Sequence, residues 1–292
     1  MANIVGTIGA IMRFPVKSML GESLDECDIV AGGVDGDRTH ALVDPSTGKI
    51  ASAKQPNLWR DLLAFSAKTN ARTSATSRSE TNPAGIIVSD GGGNHVDLLD
   101  PDFDAKVSEW LGRKVKLIDV RPAGIELNRA RPDEVMSEGV DATVTQDVLA
   151  IASAAPGGGF FDFAPLHVMT SASLDATRAA APAASIEAAR YRPNIVIETS
   201  SSQVFAENAW VGRRLRIGAN VSIEVIAPTP RCAVPMLAQG TLPHSREAVA
   251  VVNTLNRIEF PPLGPGTFPC LGAYATVVAT GPVKRGDQVV LE

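Results

Sequence analysis

The sequence predicts a mostly β protein of the α+β kind, a β-barrel with helical insertions. Three observations carry this. Short apolar segments of strand length recur along most of the 292 residues, and strands of that length suit barrels and sandwiches. Gly- and Pro-containing turn signals separate them. Few long helical patterns interrupt the strands, which argues for a barrel and against a doubly wound sheet.

Residues 5–14 form a strongly apolar strand candidate, and Pro15 stops it because proline cannot donate to a ladder. Gly32-Gly33 and the Asp44-Pro45-Ser46-Thr47-Gly48 stretch are turn signals. Between them 38–43 reads as a strand, with a second short strand after Gly48. A brief helix over 58–63, a strand over 64–69 and an exposed Ser/Thr-rich loop over 73–83 follow. The runs 86–89 and 95–99 suggest a hairpin across Gly91-Gly92-Gly93, and Asp102 caps a helix reaching Leu111.

The middle of the chain is less regular. A glycine-rich loop over 156–159 precedes Leu166-His167-Val168-Met169, a buried strand candidate. Thr170 and Ser171 follow directly, and an alanine-rich helix covers 173–181. Such a strand–helix junction points backbone N–H groups outward, an arrangement suited to an anion. Strands then return at 194–198, 213–217 and 221–227, a helix covers 245–257, and strands at 272–279 and 288–291 close the pattern.

Composition excludes some functions. A net charge of −5 argues against broad nucleic-acid binding, which rests on a basic surface. No apolar run approaches the roughly 20 residues of a membrane-spanning helix, and the start lacks the pattern of a secretory signal. Cys27, Cys232 and Cys270 show no paired or zinc-ligand spacing, so reduced thiols and a cytoplasmic location are expected. Walker, nucleophile-elbow, zinc-protease and Rossmann fingerprints are missing. His40, His95, His167 and His244 have no ligand spacing.

Two constellations remain. Cys232 ends Pro228-Thr229-Pro230-Arg231-Cys232, where two prolines restrict the backbone and the adjacent Arg231 would favour a thiolate if its side chain turned the same way. A thiolate serves a soft metal or a sulfur-transfer reaction equally; the local sequence is also compatible with a buried structural cysteine. Cys27 and Cys270 fit that structural role better. The second constellation is basic: Lys17-Ser18, Arg38, Arg190-Tyr191-Arg192-Pro193-Asn194 and Arg213-Arg214 all sit at strand edges. Each alone suits a solvated surface. Together they suit a phosphate-bearing ligand.

These same residues carry a family resemblance. Phe14-Pro15-Val16-Lys17-Ser18 with Gly36-Asp37-Arg38 resembles the N-terminal β-barrel of MOSC proteins. Arg190-Tyr191-Arg192-Pro193-Asn194-Ile195-Val196 is similar to the family's R-F-R-P-N-I-V segment. Phe205-Ala206-Glu207 with Trp210-Val211-Gly212, then Pro230-Arg231-Cys232, then Gly272-Ala273-Tyr274 with Gly281 and Gly286-Asp287, continue it in order. The likeness spans nearly the whole chain and is weakest from about 70 to 160. It implies an N-terminal β-barrel-like domain over 1–120 and a MOSC domain over 121–292.

The resemblance also implies chemistry. In the related amidoxime-reducing branch a cysteine ligates molybdenum beside the pterin dithiolene. Carried over, Cys232 is the molybdenum ligand, and Lys17, Ser18, Arg38, Arg192, Asn194 and Arg231 hold molybdopterin or its phosphate. Thr170 and Ser171 occupy a matching strand–helix junction. The implied activity is reduction of N-hydroxylated or similar oxygenated small molecules, with electrons from a separate protein. The alternatives are sulfur transfer through a Cys232 persulfide loaded by a cysteine desulfurase, and a non-catalytic molybdopterin carrier. Neither nucleic acid nor membrane is an expected partner. Two departures bear on substrate contacts: Ala233-Val234-Pro235-Met236-Leu237-Ala238-Gln239-Gly240 replaces the branch's T-T-V-D-P-x-T-G, and Glu207-Asn208 replaces its glutamate–aspartate pair.

Overall fold

A computed structural model describes residues 3–69, 85–199 and 204–292. Its centre is a closed barrel of seven strands, and the described chain is mostly β. The barrel strands are β1 (Asn3–Arg13), β2 (Leu166–Thr170), β3 (Ile195–Thr199), β4 (Arg214–Ile217), β5 (Val221–Pro230), β6 (Thr267–Ala279) and β7 (Gln288–Leu291). Around the barrel they run β2-β3-β1-β7-β4-β5-β6, and β6 pairs back to β2. Only β2 and β3 are parallel among these pairs. A parallel pair needs a crossover of a dozen or more residues. Helix α1 (Ser171–Ala180) lies in that crossover.

Alternation builds the interior. Ile195 and Ile197, Leu215 and Ile217, and Val221, Ile223 and Val225 are all wholly buried. They point inward at every second residue, as a barrel requires. The 194–198, 213–217, 221–227 and 288–291 expectations therefore meet real strands. The 272–279 strand begins earlier, at Thr267, because Pro269 and Gly266 obscure its start in the sequence. Register shifts near Val225/Ala227 and Pro228/Pro230 bend the far end of β5 out of the ladder. Such bulges re-aim a strand at a barrel rim.

A second apolar cluster, including Val16, Met19, Leu42, Trp59, Leu62, Phe65 and Val107, covers the N-terminal segments. Here small sheets replace the barrel: Ser66–Thr69, Ile86–Ser89 and His95–Asp97 form a meander, and Ala41–Val43 pairs with Lys116–Ile118. Several expectations change in detail. Arg38 is outside the strand and takes a left-handed conformation (φ 50°). After Gly48 there is a single bridge between Val43 and Ile50 rather than a strand, because the Ile50 N–H turns away to the Glu126 carbonyl (3.0 Å). The helix at 58–63 is one α-turn over Pro56–Trp59 followed by a 3₁₀ segment over Arg60–Ala64. Asp102 gives its helix no side-chain cap. The loop expected at 73–83 lies outside the described residues. The hairpin Glu126–Ala130/Gln146–Ala150 and the short helix Pro132–Glu138 went unread in the irregular middle.

Candidate functional site

A cleft opens where β1 and β5 leave the barrel. It encloses about 670 Å³ including its opening, and Lys17, Ser18, Arg38, Arg192, Asn194, Arg231 and Cys232 all line it. Seven residues scattered between positions 17 and 232 therefore converge. Thr170 and Ser171 are not among its lining residues. Arg213 and Arg214 are exposed elsewhere, Arg213 donating to the Glu292 carbonyl at 3.1 Å.

Backbone bonds place the first group. Beyond β1, Phe14 N–H donates to Asp37 Oδ1 (2.7 Å) and Lys17 N–H to the His40 carbonyl (2.9 Å). Ser18 then adopts φ 66°, which turns the chain and aims Lys17 inward. Lys17 is 5 % exposed, and its ammonium donates to the Phe160 carbonyl (2.8 Å) and Asp162 Oδ1 (2.6 Å). Burial lowers its pKa to about 8 even though Asp162 opposes the shift. Burial works against the Asp162 carboxylate too, but Lys17 and Lys54 hold it well below the usual range.

The arginines gather around Phe14. Arg192 follows the short turn Ala188–Tyr191 in a left-handed conformation (φ 56°). Its guanidinium lies 4.2 Å from the Phe14 ring centre and donates to the Met19 carbonyl at 2.7 Å. Arg38 lies 5.0 Å from the same ring and pairs with Asp37. Burial and then the neighbouring Arg38 lower the Arg192 pKa to about 9, so two like charges share a small space. Asn194 plays a bracing part. Its Nδ2 donates to Asp37 Oδ2 (2.9 Å) and its Oδ1 accepts from His167 N–H (3.1 Å), tying β3 to β2.

Cys232 sits just past β5. Arg231 N–H donates to the Pro269 carbonyl (2.7 Å), and a tight turn brings Met236 N–H back to the Ala233 carbonyl (3.0 Å). The thiol is free and 8 % exposed. Arg190, fully buried, fastens the segment behind it through the carbonyls of Pro235 (3.2 Å), Leu237 (3.1 Å) and Pro243 (2.6 Å). Arg231 donates to the carbonyls of Tyr191 (2.9 Å) and Leu271 (3.3 Å) and approaches His167 Nε2 at 3.5 Å. Burial first and Arg231 second lower the His167 pKa to about 3, so its ring is neutral. Gly272 is required here: at φ 81°, a Cβ would lie 2.3 Å from His167 Nε2.

The charge inventory is lopsided. Lys17, Arg38, Lys54, Arg192 and Arg231 line the cleft against one carboxylate, Asp162. Arg231 Nε and Thr229 Oγ1 are buried without a hydrogen-bond partner. Unspent buried donors are rare because each costs about 1–3 kcal/mol. This donor set fits an anionic, hydrogen-bonding group such as a phosphate. No cluster of three metal-ligating His, Cys, Asp or Glu occurs among the described residues, so a metal in the cleft would take Cys232 from this chain and its other ligands from the cofactor. Lys54, Asp162, His167 and Tyr274 were missed as site residues in the sequence. Asp162 had one usable signal, its place in Phe160-Phe161-Asp162-Phe163 after the glycine run.

The strand–helix junction has a different role. Thr170 caps α1 by accepting from Ser173 N–H (3.2 Å). Thr170 and Ser173 hydroxyls both donate to Glu207 Oε2, at 3.0 and 2.8 Å. The acid at this helix start belongs to the chain itself. Burial raises the Glu207 pKa. No helix among the described residues is long and apolar enough to cross a membrane.

Comparison with known proteins fits this geometry. The model of the MOSC N-terminal beta barrel domain matches residues 5–91, and the MOSC domain model matches residues 158–290. Mitochondrial amidoxime-reducing component 1 of Mus musculus is 22% identical over 300 residues, covering 98% of this chain and 82% of its own length. The Homo sapiens protein of the same name is 23% identical over 304 residues, covering 98% and 83%. Among solved structures, the YUAD protein from Bacillus subtilis aligns over 98% of this chain and 94% of its own, with a TM-score of 0.43 and 10% identity. YiiM from Geobacillus stearothermophilus aligns over 44% and 54%, with a TM-score of 0.30 and 12% identity. With both domain models matched in order, the chain belongs to the MOSC family and is a distant relative of the amidoxime-reducing components.

Proposed function

We propose that this protein binds the molybdenum cofactor in the Cys232 cleft and reduces N-hydroxylated or similar oxygenated small molecules by removing oxygen. The observation that supports it is the cationic surplus beside Cys232, with Arg231 Nε and Thr229 Oγ1 left unpartnered. When bound, the cofactor supplies the two-electron chemistry. The chain supplies position and charge. Lys17, Arg38 and Arg192 hold the phosphate, and a bound anion relieves the repulsion between the two arginines. Arg231 and Ser18 orient the pterin, Asn194 braces the wall behind it, and the Cys232 thiolate is the metal ligand. Arg190 keeps the Cys232 segment in place. Electrons come from a separate protein.

Metal and pterin analysis tests the reading. Protein made in a cofactor-producing host is expected to carry about one molybdenum per chain. Cys232→Ala is expected to lose the metal and keep its circular dichroism. Folded wild-type protein without molybdenum or pterin would overturn the proposal. A persulfide on Cys232 of such cofactor-free protein, after treatment with cysteine and a desulfurase, would put sulfur transfer in its place.

A further inference from the structure

A second cavity shares a wall with the first. It spans about 500 Å³ including the space that opens to solvent. Lys54, Asp162 and Tyr274 line both cavities. The cysteine segment also spans them, since Pro230 lines the second cavity and Cys232 the first.

The walls of the second cavity are of two kinds. Phe163, Phe260 and Tyr274 pack against one another as a single aromatic wall. Phe163 lies 5.2 Å from Phe260 in an edge-on arrangement and 5.3 Å from Tyr274. Rings at such spacing are in contact with one another, so a further flat aromatic group can lie only against the side of this wall that faces the cavity. Opposite in character is Arg129, which is 5 % exposed. A guanidinium has five N–H donors. Among the described residues Arg129 donates at 3.4 Å to the Arg231 carbonyl and approaches Asp147 at 3.8 Å. Both contacts are long, so a buried planar cation faces the cavity with donors to spare. Asp162 does not neutralise it, being held by Lys17 at 2.6 Å and Lys54 at 3.0 Å.

We infer that this cavity is the substrate subsite and that it takes a flat aromatic molecule carrying a carboxylate. The carboxylate pairs with Arg129, the ring lies against the Phe163–Phe260–Tyr274 wall, and the other end reaches past Tyr274 toward Cys232. The placement of that end rests on the proposed function; the binding itself does not. Arg129 also touches the Arg231 carbonyl, so the cation that selects the substrate stands on the backbone next to the reactive cysteine.

Calorimetry with two probes, 4-carboxybenzamidoxime and unsubstituted benzamidoxime, tests the assignment on the full chain at measured molybdenum content. The carboxylated probe is expected to bind wild-type protein at least tenfold tighter. Arg129→Gln is expected to bring the two affinities within about threefold of each other and leave the neutral probe unchanged, with Arg129→Lys restoring part of the preference. A purely structural Arg129 would weaken both probes alike, which would overturn the inference. Equal affinities in the wild type would do the same. Should Arg129→Gln not fold, Ser153→Asp at the exposed rim keeps the test open: it must reduce the preference, and an unchanged preference sinks the idea. Absence of molybdenum would overturn the proposed function while leaving this preference intact, and equal probe affinities would do the reverse.

Discussion

Two buried polar clusters flank β2, and they close their charge in opposite ways. At the start of α1, Thr170 and Ser173 donate to Glu207, so the chain carries its own acid to the helix terminus. In the cleft, five cations meet one lining carboxylate; each cluster leaves buried atoms without a partner, Glu207 Oε1 in the first and Arg231 Nε and Thr229 Oγ1 in the second. A carboxyl held by the chain's own hydroxyls, with no surplus of cations around it, is architecture. A site that leaves like charges crowded in low dielectric stores a preference for an anion, because the repulsion is relieved only when one arrives. The lesson is that charge type alone does not identify a ligand site. The unfilled balance does.

The sharpest way to break this contrast is at Glu207. Glu207→Ala strips the acceptor from two buried hydroxyls and opens a cavity, and is expected to cost about 3 kcal/mol in a denaturant titration. Glu207→Gln keeps an oxygen acceptor and removes a carboxyl whose ionisation burial resists, so it should stay within about 1 kcal/mol of wild type. Inorganic phosphate should bind both variants with wild-type affinity. A large loss of phosphate binding in a folded Glu207→Gln protein would show that the two clusters are one site.

Lys17 gives the complementary test. Lys17→Met removes one partner of the Lys17–Asp162 pair and leaves Asp162 to Lys54 alone, so it is expected to lower Tm. Phosphate affinity should fall roughly tenfold, the ~1.4 kcal/mol typical of one charge-assisted bond. Loss of stability without loss of affinity would move Lys17 from the ligand side of the comparison to the architectural side.

The smallest effect is a pH dependence. The Lys17 pKa in the folded chain is about 8, below the ordinary 10.5. Between those values the unfolded chain holds more protons, so stability rises with pH through that window as the cost of burying the ammonium disappears. Ligand binding runs the other way. Phosphate affinity should decline between about pH 7 and 9 as Lys17 deprotonates, and Lys17→Met should flatten that profile.

Much of the barrel was legible because its interior alternates strictly: Ile195 and Ile197, or Val221, Ile223 and Val225, reveal a buried face on their own. The site was legible only in part. Lys17, Arg38, Arg192 and Arg231 are cations beside glycines and prolines that mark strand ends, whereas Lys54, Asp162 and Tyr274, with Pro56, Gly159 and Gly272 two or three residues away, join the site only through the fold. Thr170 and Ser171 read as an anion site because any strand–helix junction does. What fills that junction, Glu207, lies 37 residues beyond Thr170 in the chain. Local pattern cannot announce a partner brought in by topology.

The place of β1 in the barrel has a consequence in time. It lies between β3 and β7, with Asn3 opposite Leu291 and Ile4 opposite Val290. Its ladder therefore joins segments separated by nearly the whole described chain, a pairing of very high contact order that forms late and slowly. Until the ribosome has delivered β7, one edge of β1 has no neighbour, and the turn that carries Lys17 hangs from an open sheet. The cleft is complete only once β7 has closed the barrel beside β1.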